Sequence, residues 1–103
     1  MRAKTSLILP LVLLLGACGQ ARNDPVARGK QVYLTECIAC HNSDPAKDGP
    51  IGPAVKGSSL ALLKARILRA GYPPGYTPKR NTSLMPAQPK VAAKISDLAA
   101  FLR

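Results

Sequence analysis

The chain has 103 residues, and its 15 Lys and Arg against 5 Asp and Glu give a formal net charge of +10. That length allows one small domain, and a chain this short builds only a modest core by itself. One Phe, three Tyr and no Trp offer few platforms for stacking bases, which argues against nucleic acid as a partner and leaves acidic proteins, anionic membrane surfaces or simply a solvated basic surface for the charge.

The first element is an export signal. Arg2 and Lys4 form a charged start, Leu7 to Leu15 form a short apolar stretch interrupted by Pro10, and Gly16 and Ala17 lead into Cys18. The apolar stretch is too short to span a bilayer, which takes about 20 residues, and its layout is that of a cleaved signal peptide over residues 1–17. Arg2 and Lys4 would leave with it while all five acids stay, so the remainder is still strongly basic. Leu15-Gly16-Ala17-Cys18 is also similar to a bacterial lipoprotein box. That resemblance implies lipid on the Cys18 sulfur, cleavage before Cys18 and a membrane anchor, since two or more acyl chains hold a protein stably. The alternative is ordinary cleavage near Ala17 with Cys18 as a spare thiol. Residues 18–23 would then be a short lipidated tether, and residues 24–103 the folded domain.

Asp24-Pro25 is a strong helix start, with Asp as the cap and Pro at the first helical position. Val26, Gly29, Tyr33 and Cys37 fall on one face at helical spacing, so a helix is expected from Pro25 to about Glu36. It delivers Cys37-Ile38-Ala39-Cys40-His41 at its end. Two thiols at i and i+3 lie one helical turn apart, close enough to add across the two vinyl groups of one haem. A histidine directly after them is then placed beneath the ring, where its nitrogen can bind iron. The spacing is that of a c-type haem attachment site. The competing readings are a redox dithiol, half of a zinc site, or coincidence. A dithiol has no need of the histidine, and zinc takes about four ligands, whereas the chain has one His and three Cys. With Cys18 assigned to lipid and Cys37 and Cys40 to haem, no thiol is left over.

Ser58 or Ser59 can cap a second helix, in which Leu60, Leu63 and Ile67 form an apolar stripe widened by Leu68. Arg66 and Arg69 suit its C-terminal dipole, and Gly71 is the expected stop. A third helix is expected from about Lys90 to Leu102 on Val91, Ile95, Leu98 and Leu102, with Phe101 at the flank. No strand pattern and no repeat is present, and the expected class is all-α. The connections His41–Gly57 and Gly71–Gln88 are long for so small a domain and rich in Gly and Pro. Loops of this kind usually serve a function, and a flat cofactor wrapped by both would supply the missing core.

With Met1 lost with the signal, Met85 is the remaining methionine. It stands on a Pro-flanked loop outside any helical stripe, where packing is a poor use for it. A thioether on the second face of the iron would close the sixth position, stabilise the ferrous state and raise the potential.

Together these features resemble a small class I cytochrome c over Asp24 to Arg103. Gly29 and Tyr33 precede the haem motif as in the family's N-terminal helix. Gly52-Pro53 and Gly57 resemble the histidine-side loop, Met85-Pro86 the loop of the sixth ligand, and Ile95, Leu98, Phe101 and Leu102 the C-terminal helix, whose aromatic packs near the N-terminal helix glycine. The resemblance implies about three helices around one covalently bound haem c, with thioethers at Cys37 and Cys40 and axial ligands His41 and Met85. It also implies that the Pro53 carbonyl orients His41. The stretch Tyr72 to Pro78 departs from the shortest members, and Tyr72 and Tyr76 are expected to serve packing rather than reach Met85 or a propionate.

The function expected is that of a membrane-tethered carrier of single electrons, exported to the periplasm or cell exterior, with redox proteins as partners and no acid–base or nucleophilic chemistry. The alternatives are a haem subunit docked to a larger oxidoreductase, and a haem sensor or peroxidase with an open sixth site.

Overall fold

The computed structural model describes residues 23–103, so the export segment, Cys18 and most of the tether lie outside the described residues. Helix α1 runs Pro25–Glu36, α2 runs Leu60–Arg69, a 3₁₀ turn covers Pro89–Lys94, and α3 runs Ile95–Leu102. No strand occurs among the described residues. The all-α expectation holds.

Each start has a local cause. Asp24 is extended and its carboxylate accepts the Val26 N–H, at 2.9 Å, with Pro25 next in line. Ser59, not Ser58, caps α2, accepting the Leu62 N–H at 3.1 Å. These side chains satisfy donors that the first turn would otherwise leave unpaired.

Two helix ends differ from expectation. The third helix does not begin as α-helix at Lys90. Gln88 offers no side-chain cap, its own N–H is held by Ile67 O at 2.7 Å, and the Val91 N–H bonds three residues back to Gln88 O. That tight bonding is 3₁₀, and α-helical bonding takes over at Ile95. The end of α2 also differs. The left-handed residue is Ala70, with φ 53°, rather than Gly71. Arg66 holds this turn by donating to Ala70 O at 2.8 Å, while the Gly71 N–H closes on Ala65 O at 2.9 Å.

The core is Val32, Tyr33, Leu63, Ile67, Val91, Ile95, Leu98 and Leu102. Val26, Leu60 and Leu68, expected on inward faces, are 48%, 42% and 49% exposed, and Val32 and Ala65 are buried instead. Helices α1 and α3 cross at Gly29, where an added Cβ would run into the Asp97 carbonyl and lie 2.9 Å from the Phe101 Cβ. Phe101 thus packs at Gly29, as the resemblance implied, and it also sits beside Tyr33, ring centroids 5.5 Å apart. Helix α2 packs on α3 and the 3₁₀ turn rather than against the α1 backbone. The space between α1 and α2 is the site.

Candidate cofactor site

Helical bonding continues past Glu36 for one turn. Cys37 N–H bonds to Tyr33 O at 3.0 Å, and Cys40 and His41 N–H groups both bond to Cys37 O, at 3.3 and 3.0 Å. This extra turn brings both thiols and the imidazole onto one cavity of about 280 Å³ between α1 and α2. Tyr33, itself 1% exposed, donates its hydroxyl to Asn42 O and so ties the helix to the chain just beyond His41. Burial raises the Tyr33 phenol to about 12, which keeps it a donor at ordinary pH.

The loop after His41 folds back beneath it. Cys40 O accepts from Ile51 and Gly52 N–H groups at 3.2 and 2.8 Å. Gly52 lies flat under the imidazole, where a Cβ would come within 2.6 Å of Nδ1 and 2.9 Å of Nε2. His41 Nδ1 is 2.8 Å from Pro53 O. A carbonyl can only accept, so Nδ1 carries the hydrogen and Nε2 keeps its lone pair for a metal.

Met85 lines the same cavity from the opposite connection, so the structure gathers Cys37, Cys40, His41, Pro53 and Met85 around one space. The floor is apolar, with Leu63, Ile67, Val91, Leu98 and Leu102 facing it. A flat apolar disc needs such walls, two thiols at its edge and one donor for each face, and the residue set fits haem. The redox-dithiol reading fits less well. Reactive thiols have lowered pKa values, whereas burial, with help from Glu36, pushes the Cys37 thiol up to about 11. No group of three or more His, Cys, Asp or Glu able to hold a metal ion occurs among the described residues.

Tyr72 and Tyr76 stack with centroids 5.5 Å apart, and the Arg66 guanidinium lies 4.3 Å from the Tyr72 ring centre. All three line the cavity. The Arg66 contact is not legible in the sequence, although two tyrosines flanking Pro73-Pro74-Gly75 signal a turn that pairs them.

The family model described as Cytochrome c matches residues 26–103. Comparisons with curated proteins and with solved structures return no match.

Proposed function

Since the chain belongs to the cytochrome c family, a small monohaem electron-transfer protein with covalently bound haem c, we propose that Cys37 and Cys40 would form the thioethers and that His41 and Met85 would bind the iron. The observation that carries this assignment is the shared cavity, with His41 Nδ1 fixed on Pro53 O at 2.8 Å and Met85 on the facing connection. Bound there, the haem supplies a one-electron couple. The chain's part is to hold geometry constant. Pro53 O keeps the imidazole in one orientation and one tautomer, Gly52 lets its own backbone approach the ring, and Met85 would keep outside ligands from the iron. A neutral thioether stabilises the reduced state and raises the potential.

Redox proteins are the partners of this family, and the contact surface is the cavity mouth. Ile51 and Leu84 line it and are 51% and 68% exposed, giving a partner an apolar edge to approach. The basic surface steers acidic partners, so transfer rates should fall as salt rises, because such steering is screened over roughly 8 Å at physiological ionic strength.

Export and anchoring complete the reading. The segment before Cys18 supports export, and acylation of Cys18 would hold the protein at a membrane facing the periplasm or cell exterior. The tether to Asn23 reaches at most roughly 20 Å, which favours partners on the same membrane. Wild type should partition into detergent and Cys18→Ser should not; equal partitioning removes the anchor.

The assignment of the cysteines is tested on a denaturing gel. Haem should stay with the wild-type polypeptide and be lost when Cys37→Ala and Cys40→Ala are combined. Pigment released from wild type by acid-acetone would overturn it.

A further inference from the structure

Between the turn at Tyr76 and the bond from Gln88, residues 77–87 form no secondary structure, and Thr77 to Leu84 are all exposed. Among the described residues this stretch has two polar links to the rest of the chain, and they come from neighbouring side chains. Lys79 Nζ donates to Ala54 O at 2.9 Å, and Arg80 Nη2 lies 3.2 Å from Asp48 Oδ2. The other Asp48 oxygen accepts the Ala54 N–H at 2.9 Å. Both links therefore end on the loop that holds His41: Lys79 on Ala54, one residue past the Pro53 carbonyl that takes the Nδ1–H, and Arg80 on Asp48, whose other oxygen holds the Ala54 N–H. Ala54, Lys79, Arg80 and Met85 all line the cavity, so the links span it from the methionine side to the histidine side.

We propose that Asp48 is a positioning residue: with Lys79 and Arg80 it clasps the Met85 connection to the His41 loop and sets how often the methionine side opens to an outside ligand. The inference rests on Met85 as the sixth ligand, as assigned above. The division of labour on Asp48 supports it. Oδ1 holds the backbone beside Pro53 while Oδ2 holds Arg80, so one carboxylate fixes both ends of the link. The Ala54 N–H and the Arg80 guanidinium hold its carboxyl below the usual range, so it is charged at neutral pH. An exposed ion pair is individually weak. Here it acts on a stretch with little else to hold it, and local opening is governed by whatever few contacts a segment has.

The test is the rate at which saturating imidazole enters the sixth site of the ferric holoprotein, which then reports opening. Asp48→Asn and Arg80→Met should each raise it by roughly threefold to fivefold, the scale of one exposed pair. The double variant should be no faster than the faster single one, because either change breaks the same link. Asp48→Glu should restore most of the wild-type rate, a response that loss of general stability would not produce. Two independent factors that multiply in the double variant overturn the clasp, as does an unchanged rate in Asp48→Asn. Met85→Ala separates the two readings. If its ferric spectrum equals that of wild type, the ligand assignment fails by itself. If Met85→Ala opens the site while Asp48→Asn leaves the rate unchanged, only the clasp fails.

Discussion

The Arg28 side chain meets both carboxylate oxygens of Asp97, Nε to Oδ2 and Nη2 to Oδ1, each at 3.0 Å. The pair lies beside the Gly29 crossing and fixes α1 on α3. Since α1 ends in the cysteine motif, this crossing also aims the thiols and His41 at the cavity. Geometry made far from the site thus decides where the site points.

Gly29→Ala should therefore cost more than its one methyl suggests. The added carbon meets the Asp97 carbonyl, which is backbone and cannot rotate away. Overpacking of this kind costs about 1–3 kcal/mol, and the upper end is expected. A urea titration of the holoprotein should show a lower midpoint with an unchanged slope; an unchanged midpoint would mean that the helices do not cross so closely.

Asp97 also sets an acid response. The Arg28 hydrogen bond holds its carboxyl below the ordinary value of 3.8. A group whose folded pKa is depressed adds stability above its unfolded pKa, and that contribution is lost as pH falls through the folded value. Wild type should lose stability below about pH 4, and Asp97→Asn should be less stable at pH 7 but flatter in this range. Parallel curves for the two proteins would deny Asp97 its part.

Gly52→Ala would press a methyl into the His41 ring, within 2.6 Å of Nδ1. The ring must tilt and the bond to Pro53 O must lengthen. Lost orientation of a ligating histidine weakens the metal bond, so the variant should show a shifted potential and a less stable holoprotein. A wild-type potential in this variant would show that the ring tolerates the displacement.

Ala70→Gly should stabilise. Left-handed backbone costs an L-residue about 1–2 kcal/mol, and glycine removes that cost while loosening the unfolded chain by somewhat less than 1 kcal/mol. A gain of about 0.5–1 kcal/mol is expected in thermal or urea unfolding, and a loss would mean that the Arg66 bond to Ala70 O already removes the strain.

What was legible in the sequence was local. Cys37, Cys40 and His41 are adjacent in the chain, as the proposed attachment to one ring requires, and Asp24 and Ser59 mark helix starts because caps act over two or three residues. The 3₁₀ start of the third helix escaped because Val91 and Ile95 keep the i, i+4 spacing of an α-helix, while the local bonding is set by the carbonyl that Val91 reaches, three residues back at Gln88. Val26, Leu60 and Leu68 face outward because the edge of a buried face depends on the packing partner, and α2 turns toward a cavity instead of α1. Arg28 with Asp97, and Asp48 with Arg80, join residues far apart in the chain. Nothing in either segment announces its partner.

The central claim is that Met85 closes the second face of an iron held by His41. Exposure of the reduced protein to carbon monoxide at neutral pH tests it most directly. Wild type should not bind the gas, and Met85→Ala should bind it, with a lowered potential as the thioether is lost. Equal binding of carbon monoxide by wild type and Met85→Ala would contradict the account.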